Sequence, residues 1–123
     1  MKPTEVRVHR KSAILELEYE DGTIFELPAE YLRVYSPSAE VQGHGPGERQ
    51  LQHGKKDVTI GDVEPQGNYA IKLYFSDNHD SGIYTWDYLY DLGVRQAQKW
   101  QAYLDELEAA GKSRQSQFIA VSR

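Results

Sequence analysis

The residues with most chemical potential sit together in Asp77-Asn78-His79-Asp80. An imidazole flanked by carboxylates is a candidate metal or substrate ligand, because the carboxylates raise its basicity. The same run also reads as a plain hairpin turn. Asp and Asn fold back on their own backbone, and the histidine is exposed or makes one hydrogen bond. His44 and His53 flank a glycine-containing stretch, and with His79 they are the candidates for a three-histidine iron or zinc site. Nothing in the spacing enforces such a site.

Other familiar chemistries find no pattern. Gly43-His44-Gly45-Pro46-Gly47 lacks the Gly-Lys-Ser/Thr sequence and the following helix of a phosphate loop. Ser36, Ser38, Ser76 and Ser81 lack the Gly-x-Ser-x-Gly elbow of a serine nucleophile. The acidic pairs Asp77/Asp80 and Glu16/Glu18 have the spacing of a turn and of a solvated strand face. Acid–base work would require one carboxyl to be desolvated. The chain has no cysteine, which excludes disulfides, thiol nucleophiles and thiolate-held clusters.

These residues must be positioned by elements that the hydrophobic pattern announces. Period-two alternation over Thr4 to His9, Ala13 to Tyr19 and Thr23 to Leu27, with Glu20-Asp21-Gly22 as a turn, predicts a three-strand meander. Pro28 opens a short helix near 28–35. Residues 36–56 are poor in apolar side chains and are expected to form a mobile loop of ~20 residues. A strand from Val58 to about Val63, a turn at 64–67, a strand from Tyr69 to Phe75 and a partner from Gly82 to Trp86 follow. Asp87 is the expected N-cap of a helix over Tyr88 to Leu92, and Gly93 its break. Ala97, Trp100, Leu104 and Leu107 mark a C-terminal helix near 94–110, which Gly111 stops. Residues 112–123 read as a polar, flexible tail, with Phe118, Ile119 and Val121 able to dock as a late strand. The fold class is α+β: antiparallel sheet or sheets with a short and a C-terminal helix.

The 123 residues suit one domain. The formal charge of −5 and the lack of a basic stripe argue against nucleic acid. Residues 1–10 carry no apolar signal-peptide core, and no run approaches the ~20 apolar residues of a membrane span. A cytoplasmic protein, monomeric or weakly dimeric, is expected. Nine tyrosines are many for this length, and an aromatic-rich surface would suit a protein partner.

Two segments carry a resemblance. One is Leu27-Pro28-Ala29-Glu30-Tyr31-Leu32-Arg33. The other runs from Gly67-Asn68-Tyr69 through Phe75-Ser76-Asp77-Asn78-His79-Asp80-Ser81-Gly82-Ile83-Tyr84 to Trp86-Asp87-Tyr88-Leu89. Together they resemble the gamma-butyrobetaine hydroxylase-like N-terminal domain, over residues 5 to about 93. The resemblance implies a domain over 1–93; the helix at 94–111, read from its apolar spacing and outside the resemblance, is expected to pack on it. In the hydroxylases such a domain precedes a separate catalytic domain and holds a structural zinc through three cysteines and a histidine. In this sequence Ser36, Ser38 and Val41 stand at the cysteine positions, and His79 at the histidine. The zinc is therefore expected to be absent, as is dioxygenase activity, since no iron-bearing domain accompanies this one. The expected function is a non-catalytic binding or accessory domain, with a link to Fe–S carriers or metalloenzymes implied by fused relatives. Its candidate contact surface for an unidentified protein partner is Arg33, Asn78, His79, Asp80 and Tyr84. The alternatives are a metal-binding protein built on His79 and the loop histidines, and an enzyme of unrecognised type.

Overall fold

The structure is a computed structural model and describes residues 1–43 and 49–116. Its order is β1 (Glu5–His9), β2 (Ile14–Glu18), β3 (Ile24–Pro28), α1 (Ala29–Val34), α2 (Ala39–Gln42), β4 (Ile60–Gln66), β5 (Ala70–Phe75), β6 (Ile83–Thr85), α3 (Trp86–Val94) and α4 (Gln96–Ala110). The strands form two antiparallel three-stranded sheets, β1-β2-β3 and β4-β5-β6. The α+β expectation and both meanders hold.

Each sheet has one apolar face because its side chains alternate. Leu15, Leu17 and Tyr19 in and after β2, and Ile71, Leu73 and Phe75 in β5, point into one shared core. That core also receives Leu32 and Val34 of α1 and Leu89 and Leu92 of α3. Burying a side chain of this size contributes about 1.5–3 kcal/mol, so the sheets are held mainly by what they share. Among the described residues no helix is long and apolar enough to cross a membrane.

The tyrosines explain themselves as bolts. Tyr31, Tyr84 and Tyr103 are almost wholly buried, and their hydroxyls donate to Leu92 O (2.7 Å), Leu32 O (2.6 Å) and Gln52 O (2.8 Å). Tyr35 does the same at Lys99 O, 2.7 Å away. Each ring fills core, while its polar tip satisfies a carbonyl at a helix end or in a loop. Burial pushes the Tyr84 phenol well above its ordinary pKa and the Tyr103 phenol to about 12.

Several boundaries differ from the sequence expectation. The second meander's first strand runs through Pro65, which is tolerable because β4 is an edge strand. Thr85, not Asp87, caps α3, its Oγ1 accepting from Tyr88 N at 3.1 Å. Gly93 does not break the helix; it lies inside α3, where any Cβ would overlap the Phe25 ring. On α4 the buried contacts are Tyr103 and Leu107, whereas Ala97 faces outward. Gly111 ends α4 in the left-handed region at φ 65°.

The stretch expected as a mobile loop is largely tied down where it is described. Arg49 reaches Glu106 at 3.0 Å and stacks on Tyr35, and Gln50 N donates to Val41 O. Gly54 N and Lys56 N donate to Ser113 O and Arg114 O at 2.9 and 3.0 Å, so residues 112–116, read as the start of a polar tail, are strapped across this loop. The partners are far away in sequence, and composition alone could not show them. Phe118, Ile119 and Val121 lie outside the described residues.

Candidate functional site

The polar cluster assembles where the segment after α1 crosses the β5–β6 hairpin. Ser36 Oγ lies 2.8 Å from His79 Nε2, and Ser38 Oγ lies 2.7 Å from Ser81 Oγ. Glu40 approaches His79 Nδ1 at 3.4 Å. Ser38 N donates to Ser36 Oγ at 3.3 Å, and Ser38 Oγ caps α2 at Glu40 N. The two segments meet closely because Gly82 has no side chain: a Cβ there would run into Ser36 Oγ.

A second knot lies beside it. Asp77 Oδ2 accepts from Arg33 Nε at 2.9 Å and from Lys55 Nζ at 2.6 Å. Its Oδ1 accepts from His79 N at 3.3 Å, and Asn78 takes φ 67° to turn the chain there. Asp77 thus joins α1, the 49–56 loop and the hairpin tip. Burial pushes its carboxyl up, but the two cations outweigh this and hold it below the ordinary value. His79 is pushed down, first by burial and then by Arg33, against the opposing pull of Glu40 and Asp77.

The order Ser36–His79–Glu40 has the connectivity of a nucleophile, a base and an orienting acid. A nucleophile must also be reachable, and Ser36 is 0 % exposed, with Pro37 and Gly82 packed around it. Glu40, by contrast, is 71 % exposed at its side chain, which leaves it a weak orienter. As arranged, the cluster joins two segments and presents no attacking atom. Glu40 and Ser81 were missed by sequence reasoning. The signal that could have found the pairing is the register of the metal-ligand positions itself, since ligands of one ion must lie side by side.

The same geometry decides whether the zinc implied by the resemblance fits. A structural zinc takes four nitrogen or sulfur donors. Here Ser36 and Ser38 offer hydroxyls, Val41 is a buried alkyl group with no donor, and Nε2 of His79 is engaged by Ser36 at hydrogen-bond distance. The residues do not fit the ion. Among the described residues no group of three or more His, Asp or Glu side chains could hold a metal. His53 lies in the loop before β4, and His44 lies outside the described residues.

The expected contact surface needs correction. Only Asn78 and Asp80 are exposed. Tyr84 is 0 % exposed, and His79 and Arg33 are buried. The tip looked like a surface because its own sequence is polar; the covering segment comes from 43 residues earlier. Arg33 even leaves Nη1 buried without a hydrogen-bond partner. Elsewhere on the surface Tyr69, 57 % exposed, packs over Gly67 next to the half-buried Trp86, whose indole N–H donates to Asn68 O at 2.9 Å. Trp86 separates a hollow beside Asn68 and Asp87 from a cleft between the sheets lined by Val6, Val8 and Pro65.

Comparison with known proteins follows the same lines. No curated protein matches the chain. Two proteins solved in solution by NMR are similar over 99 % of it: one at 51 % identity, TM-score 0.82 and 96 % of its own length, the other at 47 %, 0.80 and 92 %. A crystal structure of a protein of unknown function in the DUF971 family, from Acidithiobacillus ferrooxidans ATCC 23270, is 38 % identical with TM-score 0.64, covering 75 % of this chain and 92 % of that one. The family described as gamma-butyrobetaine hydroxylase-like, N-terminal, matches residues 6–90, which hold both sheets and the Ser36–His79 crossing. The chain belongs to the gamma-butyrobetaine hydroxylase-like N-terminal family.

Proposed function

We propose that this protein is a non-catalytic accessory domain that works by contacting another protein. The observation that carries the reading is the contrast between its two clusters. Ser36 and His79 are buried against one another, which leaves the Ser36 hydroxyl inaccessible. Tyr69 instead faces outward, beside the half-buried Trp86 and an apolar cleft. Tyr and Trp are the residues that most often anchor protein contacts, and a patch of this kind rimmed by polar groups is characteristic of such sites. An accessory role beside Fe–S carriers or metalloenzymes is the form of this reading that the family resemblance motivates. The alternative, a metal-binding protein centred on His79, is favoured by no observation: Ser36 engages Nε2, and among the described residues no group of three or more His, Asp or Glu could hold a metal.

The test uses Tyr69→Asp/Pro65→Asp, both exposed positions. Wild-type and variant protein with the same amide NMR fingerprint serve as baits in native lysate. Retention of a defined protein by the wild type alone supports the reading. Identical recovery by both baits, or a metal-dependent turnover by the isolated chain, overturns it.

A further inference from the structure

A groove of about 530 Å³ runs between the start of α1 and the first turns of α4. Pro28, Tyr31, Ala97 and Trp100 wall it, and Glu30 and Arg114 close one end. This volume and this mixture of apolar wall with a few convergent polar groups are those of small-molecule sites. The α4 wall and Arg114 lie beyond the residues 6–90 that match the family. The groove therefore forms where the C-terminal part of the chain meets the family fold.

The closed end is a prepared cation. Arg114 Nε and Nη2 donate to the two carboxylate oxygens of Glu30 at 2.9 and 2.7 Å, and its guanidinium lies 5.1 Å from the centre of the Trp100 ring. Glu30 is 7 % exposed at its side chain and Arg114 39 %, so the charge that faces a visitor is positive. One edge of the guanidinium fork is committed to Glu30. The N–H groups of the other edge match a second carboxylate, the geometry in which arginine is most selective. Backbone hydrogen bonds from the 54–56 loop hold the chain on either side of this residue.

We propose that this groove binds an organic carboxylate with a planar apolar body. The planar body lies along the half-buried Trp100 ring, the carboxylate meets the outer edge of Arg114, and Glu30 is the positioning residue that fixes the guanidinium plane. The site is separate from the Tyr69–Trp86 face, and its loss leaves the protein-contact reading untouched.

The probes are 2-naphthoate and its neutral isostere 2-naphthamide, titrated into the full-length ¹⁵N-labelled protein. The expected result is saturable shifts at the start of α1, the first turns of α4 and Arg114, including the Trp100 indole. The carboxylate should bind about tenfold tighter than the amide or better, equivalent to about 1.4 kcal/mol. Arg114→Gln should erase that preference. Ala97→Phe, which fills the groove from an exposed helix position and leaves the Glu30–Arg114 pair in place, should abolish binding of both probes. Equal affinity for the two probes, shifts centred elsewhere, no saturable shift at millimolar probe, or full binding by Ala97→Phe each overturns the proposal.

Discussion

Ser36→Ala isolates the crossing between the segment after α1 and the β5–β6 hairpin. The substitution keeps almost all the volume at a position with no exposure, so the cavity contribution is small. It removes the Oγ that meets His79 Nε2 at 2.8 Å and Ser38 N at 3.3 Å. His79 is 3 % exposed at its side chain, so water cannot easily replace the lost partner. Orphaning a buried polar atom costs about 1–3 kcal/mol. With a urea m-value of about 1.5 kcal/mol per molar, a loss of about 2 kcal/mol moves the unfolding midpoint down by about 1.3 M. The assay is urea unfolding by fluorescence and circular dichroism, repeated in a His79→Leu background. There the Ser36→Ala cost should fall by about 1 kcal/mol or more, since the orphaned nitrogen is gone. A cost below about 0.5 kcal/mol, the scale of an ordinary surface change, or the same cost in both backgrounds, refutes the idea that this hydrogen bond holds the two segments together.

Further outcomes follow from the neighbouring contacts. Asp77→Ala leaves Arg33 buried without its carboxylate and should cost about 3 kcal/mol or more in the same unfolding assay, as broken buried pairs do. Because His79 is held below its ordinary value of 6.5, the unfolded chain takes up its proton first; stability is therefore full above pH 6.5 and is lost as pH falls toward the folded value. His79→Gln should flatten that slope below about pH 6.5, which a pH series of midpoints reads directly. Gly93→Ala drives a methyl into the Phe25 ring and should lower the melting temperature, whereas Val94→Ala, at an exposed site one residue on, should not.

Much of the fold was legible because it rests on local alternation. Val6 and Val8, then Leu15 and Leu17, then Ile71 and Leu73 each declare the apolar, core-side face of a strand, and Gly22 and Gly111 declare a turn and a helix end. What was illegible depends on distant partners. Gly93 reads as a break unless the Phe25 ring across the core is known. The 49–56 loop reads as loose because its anchors are distant: Asp77 holds Lys55, and Glu106, Ser113 and Arg114 lie more than fifty residues away. His79 reads as exposed because the hairpin tip around it is polar, although Ser36 covers its ring. Of the candidate site, positions 36, 38 and 79 were marked by the resemblance, but not the hydrogen bonds Ser36–His79 and Ser38–Ser81 that they make. The burial of Arg33 and Tyr84 was not, since a charged residue and a tyrosine look alike whether they face water or satisfy carboxylates and carbonyls inside.

The central claim is that serine–histidine hydrogen bonding, rather than an ion, joins these segments. The most direct measurement is elemental analysis of tag-free protein together with its unfolding midpoint in the presence and absence of a chelator. The account predicts zinc and iron well below one equivalent and the same midpoint in both buffers. One equivalent of either metal, removed by chelator or by His79→Ala along with a drop in midpoint, contradicts it.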